Sequence, residues 1–67
     1  MRKTLKEARL RAGLSQKQLA EEIGCSRENY SGIENGRLDG SVKIWQKIRT
    51  TLGVDPVDLL VMISEGD

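Results

Sequence analysis

Histidine and phenylalanine are absent from this 67-residue chain, and cysteine, proline, tryptophan and tyrosine occur once each. The missing histidine removes the usual general base and the commonest metal ligand together. No nucleophile–base pair or ligand cluster takes its place, so the chain is expected to have no catalytic residues, no metal and no cofactor. A lone cysteine, Cys25, excludes an intrachain disulfide and a cysteine zinc cluster. It reads instead as a small buried hydrophobe.

No apolar run approaches the roughly 18 to 20 residues of a membrane span, and no hydrophobic segment follows the charged start. A cytoplasmic protein is therefore expected. The length allows one domain, residues 1–67, with a core that must be purely apolar. Strands are poorly supported, because β-branched runs of period two are missing.

What remains is helix punctuation. Thr4 with Glu7, and Ser15 with Gln18, fit the capping box, in which a hydroxyl and a longer side chain satisfy each other's orphan amides. Ser26, Ser41 and Asp55 followed by Pro56 mark three further starts. Gly13, Gly24, Gly36 and Gly53 mark the stops. The spacing predicts helices over 5–12, 16–23, 27–35, 42–52 and 56–63.

Leu5, Ala8 and Ala12 share a face of the first of these. Leu19, Ala20 and Ile23 do so in the second, Tyr30 and Ile33 in the third, and Ile44, Trp45, Ile48 and Leu52 in the fourth. Such short helices cannot persist alone and must pack around one centre, to which Leu59 and Leu60 also contribute. The expected fold is all-α with five helices.

Net charge is only +1, but its distribution is uneven. Residues 1–37 carry eight basic and five acidic side chains, a net +3, and the remainder is −2. The basic half contains two short helices separated by Gly24, Cys25 and Ser26. A glycine-containing turn of that length sets two helices at a steep angle. With Tyr30 and Ile33 facing inward, Arg27, Glu28, Ser31 and Gly32 are left on the other faces of the second helix and are the expected base-reading residues. The first turn of such a helix is where base edges are read in the major groove. Arginine can donate two parallel hydrogen bonds to guanine, which makes Arg27 the strongest specificity candidate. Glu28 can accept from cytosine, and equally can complement the helix dipole or hold Arg27.

The run LSQKQLAEEIGCSRENYSGIENG, with LGVDPVDLL later in the chain, resembles the phage repressor and Cro-like (XRE family) helix-turn-helix transcriptional regulators over about residues 5 to 60. The resemblance implies a motif at about 16–35 within a compact repressor-like DNA-binding domain. By position, it implies base reading by Arg27, Glu28 and a third site, Gly32. Gln16 matches a glutamine that binds phosphate or supports the recognition helix. Asn35 and the amides near Gly36 match a phosphate-contacting loop, and Arg9 with Glu34 matches a structural ion pair.

Two departures stand out. Gly32 has no side chain, so either the backbone approaches DNA closely there or the glycine is tolerated. The segment Arg37–Gly40 is less basic than its counterparts, with Lys17, Arg37, Lys43 and Arg11 available as replacement phosphate contacts.

At the C-terminal end, Leu59, Leu60, Val61, Met62 and Ile63 are five consecutive apolar residues, more than one helix can bury against so small a core. Val61, Met62 and Ile63 are expected at a homodimer interface, with residues 61–67 as dimerisation end and tail. The expected function is a sequence-specific, repressor-type regulator that reads a palindrome in double-stranded DNA as a homodimer. The alternative is an antitoxin component or a protein-interaction module on the same scaffold, with a protein partner.

Overall fold

A computed structural model describes residues 1–66. The elements are α1 (Lys3–Arg11), α2 (Gln16–Ile23), α3 (Arg27–Asn35), α4 (Val42–Leu52) and α5 (Pro56–Ser64), with no strand among the described residues. They pack into a body of 24 × 23 × 20 Å. Asp67, the last residue of the expected tail, lies outside the described residues.

Four of the five helix starts follow the local rule. Ser15 Oγ accepts from the Gln18 amide at 3.1 Å while the Ser15 amide donates to Gln18 Oε1 at 2.8 Å, a complete capping box. Ser26 Oγ accepts from the Asn29 amide, Ser41 Oγ from that of Ile44 and Asp55 Oδ1 from that of Asp58.

The first helix departs from expectation. It begins two residues earlier, at Lys3, with Arg2 at the N-cap and no side-chain cap of its own. Thr4 lies inside the helix rather than before it. Its amide donates to Glu65 Oε1 at 2.9 Å and its hydroxyl to Glu65 Oε2 at 2.6 Å. The acid that completes the helix start comes from the far end of the chain instead of from Glu7. A carboxylate held there also complements the positive end of the helix.

The core is Leu5, Leu19, Ala20, Ile23, Tyr30, Ile33, Trp45, Ile48 and Met62. Ala8, Leu14, Cys25, Ile44, Leu52 and Leu59 are half-buried against it. Gln46 and Arg49 point outward, so α4 keeps a polar outer face.

Two apolar assignments are corrected. Ala12 is exposed at the C-cap of α1, and Leu60 is 67% exposed. On α5 the inward face is set by Leu59 and Met62, three apart on one side of the helix, and Leu60 is turned about 100° away from Leu59. Met62, expected at a dimer interface, is correspondingly 1% exposed and belongs to the chain's own core.

Candidate nucleic-acid interface

The turn between α2 and α3 is built by Gly24, whose φ of 77° is left-handed and open to glycine at no steric cost. Its neighbour Cys25 returns its amide to the Ala20 carbonyl at 3.0 Å. Ser26 then starts α3 at once, and Tyr30 and Ile33 dock that helix on the core residues of α2. Cys25 sits half-buried beside them, and burial pushes its thiol above the ordinary range. An exposed outer face of α3 results, with Arg27 and Glu28 in its first turn.

Arg27, Glu28 and Ser31 surround one concavity of about 200 Å³, and the fourth side chain lining it is Arg37, from the loop after α3. Gly32 does not join them. It is buried, because the loop folds back over it: the Leu38 amide donates to the Gly32 carbonyl at 3.0 Å. A Cβ at position 32 would meet Leu38 Cδ1 at 2.7 Å and Arg37 Nη2 at 2.9 Å. A larger residue here would require the Leu38 and Arg37 side chains to shift.

The residues expected at phosphates divide. Lys17 is exposed in the first turn of α2, and Asn35 is exposed at the end of α3, its Oδ1 accepting from the Arg37 amide at 2.9 Å. Gln16 is half-buried and donates from Nε2 to Glu34 Oε1 at 3.3 Å, so its amide braces the last turn of α3. Arg37 stands with Arg27, Glu28 and Ser31.

Behind this face lies a buried polar network. Arg9 Nε donates to Glu34 Oε2 at 2.8 Å and Nη2 to Oε1 at 3.1 Å, while Nη1 reaches the Leu14 carbonyl at 2.7 Å. A two-pronged pair of this kind fixes orientation as well as distance. It joins α1, the loop into α2, and α3. Burial opposes the charge on Glu34, yet the hydrogen bond from Arg9, aided by Tyr30 and Gln16, outweighs it and holds the carboxyl below its ordinary value. The same hydrogen bond raises the Arg9 guanidinium against its own desolvation. The Tyr30 hydroxyl lies buried beside the pair without a well-formed hydrogen bond, and burial drives its ionisation far above the ordinary range.

Arg2 is the residue that sequence reasoning missed. It is fully buried, with Nη1 donating to the carbonyls of Ile33 at 2.6 Å and Leu38 at 2.7 Å, and Nε to that of Met62 at 3.1 Å. Its guanidinium carbon sits 5.2 Å from the centre of the Trp45 ring. The backbone amide of Arg2 also donates to the Glu34 carbonyl at 2.7 Å. One side chain therefore clasps the last turns of α3 and α5 and the loop that carries Arg37. Composition counts it with the surface charge of the basic half; only the meeting of three remote carbonyls distinguishes it.

The helix-turn-helix family profile matches residues 5–59, most of the chain. The chain belongs to the helix-turn-helix family of Cro/C1-type (XRE) transcriptional regulators. As an HTH-type regulator it is a DNA-binding protein and not an enzyme. An uncharacterized HTH-type transcriptional regulator of Methanothermobacter thermautotrophicus is 31% identical over 65 residues, covering 97% of this chain and 94% of the relative. Another, from Methanocaldococcus jannaschii, is 36% identical over 61 residues, 91% of this chain and 92% of the relative. A third, from Bacillus subtilis, is 42% identical over 55 residues, 82% and 72% of the two chains. No solved structure matches the HTH-type chain significantly. Among the described residues, no helix is long and apolar enough to cross a membrane.

Proposed function

We propose that this HTH-type regulator binds a palindromic operator in double-stranded DNA as a homodimer and acts as a repressor, by occupying DNA that polymerase needs. The observation that carries the reading is the outer face of α3. Its first turn is exposed and holds Arg27 and Glu28 beside Ser31, while its last turn is locked from behind by the Arg9–Glu34 pair. Arg27 reads guanine and Ser31 supports it, while Glu28 either accepts from cytosine or holds Arg27. Lys17 and Asn35 hold phosphates on either side of α3, which sets register without reading sequence.

Dimerisation is favoured by the outer side of α5. With Met62 turned inward, Val61 and Ile63 remain 41% and 38% exposed, next to the more exposed Leu60. Two copies joined there would bring their recognition helices to successive major grooves about 34 Å apart. The same apolar side supports a second reading, in which a different protein, such as the toxin of a toxin–antitoxin pair, covers α5.

Selection of binding sites from random duplexes at two salt concentrations tests the proposal. The expected result is a palindrome whose affinity falls steeply with salt, together with loss of one preferred base pair per half-site in Arg27→Ala. Enrichment of no sequence by the wild-type protein overturns it. Sedimentation of the free and DNA-bound protein then separates a homodimer from a monomer that awaits another partner.

A further inference from the structure

The loop after α3 is folded back onto the body of the protein. Its backbone is tied at three consecutive points: the Arg37 amide to Asn35 Oδ1, the Leu38 amide to the Gly32 carbonyl, and the Leu38 carbonyl to the buried Arg2 guanidinium. The Arg37 side chain lies against Gly32, with Nη2 2.9 Å from where a Cβ at position 32 would stand. Position 32 is one helical turn beyond Glu28, so it belongs to the row of α3 positions that face a groove. The loop has in effect supplied the side chain that α3 lacks there.

From this geometry we infer that Arg37, seated over Gly32, reads a base edge beside Arg27 and is a specificity-determining residue of the DNA site, not a phosphate contact. The inference rests on the proposed function above. Three observations support it together. Arg37 lines the same concavity as Arg27, Glu28 and Ser31. The backbone on either side of it is tied down, which limits the region its side chain can reach. Its guanidinium offers the paired donors that match guanine O6 and N7. Loop and helix then form one reading surface, with Arg2 as the positioning residue beneath it.

The test is site selection with wild type, Arg37→Ala, Arg37→Lys and Gly32→Ala, followed by affinity against salt on the selected duplex. Arg37→Ala is expected to lose preference at one base pair per half-site, discrimination there falling roughly 5- to 150-fold, while the preference set by Arg27 is kept. Arg37→Lys keeps the charge but not the paired donors, and is expected to retain the salt slope and lose that same base preference. Gly32→Ala displaces Leu38 and Arg37, and is expected to blur the same base pair although Arg37 is still present.

Uniformly weaker binding of every sequence by Arg37→Ala, with the salt slope reduced by about one and all base preferences intact, overturns the inference. Wild-type discrimination by Gly32→Ala overturns the seat over Gly32. If the wild-type protein selects no sequence at all, the proposed function itself fails, and Arg37's reading role fails with it.

Discussion

The charged residues on the outer face of α3 and those behind it are chemically alike but differently placed. At the front, Arg27, Glu28 and Lys17 are exposed. At the back, Arg2, Arg9 and Glu34 are buried, and each guanidinium or carboxylate is spent on groups of the chain itself. Among the described residues the single salt bridge is Arg9–Glu34. A buried ion must be fully partnered, because removing one partner leaves the other desolvated and alone. An exposed ion carries no such obligation and remains available to a ligand. The +1 total thus mixes two populations, one engaged within the fold and one exposed to solvent.

Removing Glu34 attacks the back most directly. Glu34→Ala leaves the Arg9 guanidinium buried without its acid and should cost about 3 to 5 kcal/mol. That is a large part of the stability of any domain this small, and urea unfolding should show most of it lost. The pair also has a pH signature. The folded Glu34 carboxyl titrates below its ordinary value, so its stabilisation is fully present above the unfolded value of about 4.3 and disappears as pH falls through the lower folded value. The wild-type protein should therefore lose stability on acidification through that window, and an otherwise stabilised Glu34→Gln protein should lose less there. Equal acid sensitivity in the two proteins would count against the pair.

Arg2→Ala comes next. It abandons carbonyls on α3, α5 and the intervening loop, and the loss should be about 2 to 3 kcal/mol, the range for hydrogen bonds to a charged group. Thermal unfolding measures it, and each kcal/mol lowers the midpoint of a domain this size by about 4 to 8 °C. A loss within 0.5 kcal/mol would show that Arg2 belongs with the front population after all. The smallest effect is expected at the front itself. Arg27→Ala should leave unfolding within about 0.5 kcal/mol of wild type while altering base preference. A stability loss as large as that of Arg2→Ala would erase the distinction between the two faces.

The same division explains what the sequence makes legible. The starts of α2 to α5 could be read because each cap partner is three residues away, and so could the stops at Gly24, Gly36 and Gly53. The start of α1 could not, because Thr4 and Glu7 make an acceptable local box and the acid that displaces Glu7 is Glu65. In the candidate site, Arg27 and Glu28 follow from their place in the first turn of α3. The covering of Gly32 by Leu38 and Arg37 could not be read, since the loop folds back only in three dimensions. On α5, five apolar residues in a row carry no phase of their own. Which of Leu60, Val61 and Met62 turns inward is decided by the neighbouring helices.

The clasp of Arg2 on the Met62 carbonyl spans 60 residues, and that of Thr4 on Glu65 spans 61. Contacts of such separation form late, after the loop-closure entropy has been met by everything between them. A nascent chain that has emerged only as far as α4 already contains every partner that holds α3 from behind, and lacks only the ties of Arg2 and Thr4 to α5 and its end. Until residues 62–65 leave the ribosome, Arg2 lacks one of its three carbonyls and α1 has no cap. The join between α1 and α5 is accordingly the last part of the clasp to close, and the ties behind α3 do not wait for it.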